Sequence, residues 1–205
     1  DGLPLARGDP KGRVVLSHPW LSKAHPDPQG AKLNALVEQL DILGASDEDA
    51  VFIDYMSLPQ HDSQDPELQQ LDVQNKWPKP GAHPAVRTAE EEVTFRKALG
   101  SMELIYSMSA VPVIVLPMDD QTEGGLSYIR RGWCLFEFCV AFSFGNIANE
   151  TCHEPVKRCC DLVRDLNADT EEGFRQAFND THFTQSGDES VVLKLFANTI
   201  SKKSK

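Results

Sequence analysis

Val111-Pro112-Val113-Ile114-Val115-Leu116 is the stretch on which the fold turns. Its apolar side chains run on without alternation, and most are β-branched. A strand with one wet face alternates, whereas a strand covered on both faces does not. The run therefore reads as a central strand of a parallel sheet with helices on either side.

Working outward, residues 90–108 carry Val93, Phe95, Ala98, Leu99, Met102, Ile105 and Tyr106 at helical spacing. On the other side, after a Gly124-Gly125 loop, residues 128–144 form a helix with an unusually apolar face. Further upstream, residues 50–55 (Ala-Val-Phe-Ile-Asp-Tyr) read as a second buried strand, followed by Met56-Ser57-Leu58-Pro59-Gln60. From Gly30, Leu33, Leu36, Val37, Leu40 and Leu43 recur at three and four, a helix ended by Gly44. Arg13-Val14-Val15-Leu16-Ser17 is the first strand, leading into Ser17-His18-Pro19-Trp20 and a loop whose prolines, Pro26 and Pro28, forbid helix. Residues 61–87 are polar, proline-rich and aperiodic, a long inserted loop of the kind that carries function or disorder. Beyond Gly145 the signals weaken to helical patterns over 156–166, 170–178 and 190–200.

Strands alternating with helices predict a parallel sheet with right-handed crossovers. The expected organisation is a single α/β domain over 13–200 with a helical extension over 150–200, a flexible tail over 1–12 and a short tail over 201–205. The chain opens on Asp1-Gly2 and closes on Lys202-Lys203-Ser204-Lys205, as a piece excised from a longer protein would.

A net charge of −11 argues against a nucleic-acid or anionic-membrane surface, which needs a basic face. A small anionic ligand remains compatible with it. No run approaches the length of a membrane span, and no signal peptide opens the chain. The five cysteines lack paired ligand spacing, so zinc is not expected; reduced thiols in a cytoplasmic protein are. His18, His25 and Asp27 are separated by prolines and do not share one element, so no metal site is expected there either. The run Glu90-Glu91-Glu92 sits at a helix start, where negative charge complements the dipole.

Ligands of open parallel sheets bind beyond the carboxyl ends of the strands. That rule selects residues 17–20, 54–60 and 117–133. Glu137 is the most informative acid: its helical neighbours Trp133, Cys134, Val140 and Ala141 offer no cation. Desolvation there favours the protonated form, as suits a catalytic acid or base, although a structural glutamate capping a loop or pairing with a distant arginine fits the same pattern. Asp54 either faces a site or closes an Asx-type turn on the Ser57 or Leu58 amide. Ser17 and His18 suit phosphate or ribose oxygens, and Trp20 suits stacking on a base; loop packing is their plainer role. The chain has no Ser-His-Asp order, nucleophile elbow, phosphate loop or dinucleotide fingerprint.

Arg131-Gly132-Trp133-Cys134-Leu135-Phe136-Glu137-Phe138 resembles the Trp-Cys-Leu-x-Glu-Leu element of Toll/interleukin-1 receptor (TIR) domains, with Glu137 four residues after the tryptophan. Residues 14–18 are similar to the opening strand of that family, and residues 52–54 to its second strand. The same segments also resemble the fungal heterokaryon-incompatibility domain: Ser17 with Trp20, Ile53-Asp54 with Gln60, Met102 with Ile105-Tyr106, and Arg131-Gly132-Trp133 with Glu137. The resemblance covers residues 13–145. It implies a flavodoxin-like or TIR-like parallel sheet flanked by helices, with the C-terminal helical segment added.

For function the resemblance implies an NAD glycohydrolase in immune or cell-death signalling, with NAD as substrate and no cofactor. Glu137 is then catalytic. Ser17, His18, Trp20, Asp54, Tyr55, Ser57, Arg131 and Trp133 are the candidate ligand contacts, Arg131 because its fork suits phosphate. Self-association is expected, since in TIR enzymes a neighbouring subunit commonly completes the site. The alternatives are a catalytically silent self-association module and an enzyme like the nucleoside deoxyribosyltransferases, which also set a glutamate beside a ribose.

Overall fold

A computed structural model describes residues 12–20, 27, 29–58, 86–117, 126–183 and 187–203. Residues 1–11 of the expected tail and 61–85 of the inserted loop lie outside the described residues, as do Pro59, Gln60, His25, Gly124 and Gly125.

Among the described residues three strands, β1 (Arg13–Ser17), β2 (Ala50–Phe52) and β3 (Val113–Val115), form a parallel sheet in the order β2-β1-β3. Val14 faces Val51 in register, and Leu16 faces Ile114. Because side chains alternate across a strand, the central run serves two cores. Val14, Leu16, Ile114 and Leu116 pack on one face with Leu36 of α1 (Ala31–Leu43). Val15, Val113 and Val115 point the other way into the larger cluster. Continuous hydrophobicity thus means cover on both faces, and the chain is an α/β protein with its sheet flanked by helices.

The helix boundaries depart from the periodicity in informative ways. Within α1, Leu36 is buried together with Lys32 and Gln39, whereas Leu33 is 58% exposed and Val37 49% exposed. The buried stripe is therefore narrower than the leucine pattern and rotated from it. The second strand stops at Phe52, and Asp54 opens a single-turn helix, α2 (Asp54–Ser57), rather than ending the strand. The helix expected over 90–108 is two helices, α3 (Ala89–Leu99) and α4 (Met102–Ser107), parted at Gly100-Ser101. Thr88 and Glu91 form a capping box on α3, so Glu90-Glu91-Glu92 does occupy a helix start. No residue of α3 is buried; only α4 inserts, through Met102 and Tyr106.

The helix expected over 128–144 also divides, into α5 (Leu126–Ile129) and α6 (Gly132–Phe144). The break is imposed from far along the chain. The His182 amide donates to the Arg130 carbonyl and the Gly132 amide to the His182 carbonyl, replacing helical bonds. α6 is buried along most of its length, as its apolar composition requires.

Beyond it, residues 146–149 add a rung to the sheet: Ile147 bridges Val113 in parallel, and the Asn149 carboxamide bonds both the amide and the carbonyl of Val115. Helices α7 (Glu154–Asp165), α8 (Glu171–Phe178) and α9 (Asp188–Lys203) follow. Val156, Phe174 and Phe196 join the same buried cluster as α6, so the helical extension shares the main core. Lys202 and Lys203, expected in a tail, belong to α9. Among the described residues no helix is long and apolar enough to cross a membrane.

Candidate functional site

Ser17 ends the central strand and is fully buried. Its hydroxyl meets Glu137, which α6 brings over the carboxyl end of β1, in a hydrogen bond of 2.5 Å to Oε2. On its other side Ser17 Oγ lies 2.5 Å from the hydroxyl of Tyr128, supplied by α5. The Tyr106 hydroxyl of α4 donates to the Leu16 carbonyl at 3.5 Å and sits close enough to Glu137 to favour its charged form. Four elements therefore converge on one acid.

Glu137 is 7% exposed, and among the described residues no arginine, lysine or histidine pairs with it. The loop-cap and arginine-pair roles are not what the structure gives it. Burial, and then the negative charge of Asp54, push its pKa up to about 8, against the opposing influence of the Ser17 and Tyr106 hydroxyls. Burial first, and then neighbouring negative charges, also hold Tyr106 and Tyr128 well above the usual phenol value, so both stay protonated donors.

Asp54 does not close an Asx turn on Ser57 or Leu58; their amides donate to the main-chain carbonyls of Ile53 and Asp54. Its carboxylate turns instead to the segment after β1. Oδ2 receives the Trp20 indole N–H at 3.4 Å, and Oδ1 lies 3.6 Å from His18 Nε2. The His18 side chain is 3% exposed, and neither ring nitrogen has a hydrogen-bond partner among the described residues. Arg131 donates to the Trp20 carbonyl at 2.9 Å, fastening the start of α6 to the same segment.

Ser17, His18, Trp20, Asp54, Arg131 and Glu137 are thus linked around the carboxyl end of β1. Two sequence candidates stand apart. The Trp133 indole donates to Asp188 of α9 and packs edge-on against Phe136, which makes it a tie to the C-terminal helix. Ser57 is exposed, its hydroxyl accepting the Ile53 amide. Tyr55 lies within α2, with its side chain outside the described set. Sequence reasoning took Tyr106 for core and passed over Tyr128. The available signal was that a buried tyrosine must place its hydroxyl on a partner.

Chemically, the arrangement is a shielded carboxyl that changes charge near neutrality beside a second carboxylate, and such an acid can hold a proton, release it or face a developing positive charge. Among the described residues no group of three His, Cys, Asp or Glu side chains is placed to hold a metal ion. No protein-family model, curated protein or solved structure matches the chain.

Proposed function

We propose that this chain is a TIR-like NAD glycohydrolase acting in cytoplasmic immune or cell-death signalling, with NAD as substrate and no cofactor. One observation carries the reading: Glu137 is buried at the carboxyl end of the central strand with no cation to neutralise it among the described residues. A purely structural position has little reason to retain such an acid, because an unpaired buried charge is costly. The strand order supports a flavodoxin-like arrangement, since the chain reverses direction across the sheet between β1 and β3, where such folds open their ligand crevice.

In the reaction the bond between C1′ of the ribose and the nicotinamide nitrogen breaks, and its electron pair leaves with nicotinamide. The ribose becomes oxocarbenium-like, water adds at C1′, and a proton is released. Glu137 as a carboxylate opposes the developing positive charge and accepts the proton of the attacking water. The positive pyridinium of the substrate itself favours the ionised form of the acid. His18, Trp20 and Arg131 are the ribose, base and phosphate contacts of this reading, and a neighbouring copy completes the site.

The test is nicotinamide release from NAD by the wild-type chain and by Glu137→Ala, each over a range of protein concentrations. Release should rise more steeply than concentration and fall at least about a hundredfold in the variant, the scale of loss for a proton-transfer group. Equal release by both would end the proposal.

A silent self-association module is the second reading, favoured by Met56, which is 79% exposed on α2. It requires Glu137→Ala to keep the biological output while Met56→Glu abolishes it.

A further inference from the structure

Hydrogen-bond accounting fixes the direction of the chain of hydroxyls behind Glu137. Tyr128 is completely buried, and among the described residues its hydroxyl has no partner other than Ser17 Oγ, at 2.5 Å. A buried O–H left without an acceptor is costly, so Tyr128 donates to Ser17. A serine hydroxyl carries one proton, and with Tyr128 acting as donor that proton is free for Glu137 Oε2, also at 2.5 Å. The order is therefore Tyr128 O–H to Ser17 O–H to the Glu137 carboxylate. Neither bridging side chain is solvent-exposed, and both sit on packed elements, the end of β1 and α5.

We infer that Ser17 and Tyr128 are positioning residues for Glu137, a two-hydroxyl chain that fixes one carboxylate oxygen and favours the ionised acid. Ser17 thereby leaves the set of ligand contacts. The inference rests on the reading of Glu137 as the catalytic group, but it concerns the state of that acid and can be measured without turnover. Groups facing Glu137 come from every side. Asp54 of α2 disfavours the carboxylate, as burial does, while Ser17 of β1 and Tyr106 of α4 favour it; Tyr128 of α5 acts through Ser17. On α6 itself, Cys134 lies one turn before Glu137. Removing the chain leaves burial and Asp54 less opposed.

The experiment is a carboxyl-carbon NMR titration of protein labelled at glutamate, with Glu137→Gln assigning the resonance, run beside the pH profile of nicotinamide release. Ser17→Ala should raise the Glu137 midpoint by about one pH unit, the scale of one hydrogen bond to a charged acceptor. Tyr128→Phe should raise it by less, since Ser17 stays but loses the donor that polarises it. Ser17→Thr, which keeps the hydroxyl, should titrate like the wild type and serves if the alanine variant does not fold. In the pH profile, the acid limb of release should move up with the midpoint in Ser17→Ala and Tyr128→Phe, with KM unchanged. Unmoved midpoints in both variants, with otherwise native spectra, would overturn the assignment. Moved midpoints without nicotinamide release from the wild type would uphold it and remove the enzyme reading instead.

Discussion

Glu137 burdens the folded state in a way a glutamine at the same position would not. Its pKa is about 8 when folded, against an ordinary 4.5. Across that window the folded chain holds a proton that the unfolded chain has lost, so stability falls as pH rises from about 4.5 to about 8 and stays low above it. Glu137→Gln keeps the shape and removes the titration. It should stabilise the protein most at alkaline pH, by at most about 5 kcal/mol, and hardly at all near pH 4. Urea unfolding of both proteins across that range checks this; equal gains at every pH would contradict it. The acid was legible in the sequence because its helical neighbours are local and apolar. Its hydroxyl partners were not, because Ser17 lies 120 residues from Glu137 and 111 from Tyr128, separations that spacing along one helix cannot encode.

Among elements, α6 is decided at its first turn. A Cβ on Gly132 would stand 1.8–2.4 Å from atoms of the Phe183 ring, so the ring occupies the space a side chain would need. Together with the backbone bonds of His182 and the Trp133–Asp188 bond, this seats residues 182–183 and the first turn of α9 on the start of the helix that carries Glu137. Gly132→Ala should therefore cost about 1–3 kcal/mol, the usual scale of overpacking. Phe183→Ala in the same background should return part of it; a neutral Gly132→Ala in a denaturant titration would show that the ring yields freely. Periodicity could not reveal the break at residues 130–131, since the apolar pattern runs straight through it. The same holds at Gly100-Ser101, where α3 ends with Leu99 only resting against the core and α4 enters it.

At the scale of the molecule, none of the five cysteines forms a disulfide, and only Cys152 is exposed. Burial pushes the Cys139 thiol well above its ordinary value and the Cys160 thiol up to about 12, leaving little thiolate to react. A thiol reagent near neutral pH should label one cysteine quickly and the other four only as the chain unfolds; fast labelling of two or more would mean that the C-terminal helices open readily. The sheet class was legible from three apolar runs. The rung at 146–149 was not, because one bridge and one side-chain amide make it. That amide has a consequence for self-recognition. Among the described residues the sheet finishes past Val115 in the Asn149 carboxamide, which bonds both the Val115 amide and carbonyl, and its opposite strand, β2, is three residues long. Borders so short make poor templates for ribbon-to-ribbon stacking of the amyloid kind. Copies of this chain that gather should do so through side-chain surfaces, reversibly, and should leave amyloid dyes dark.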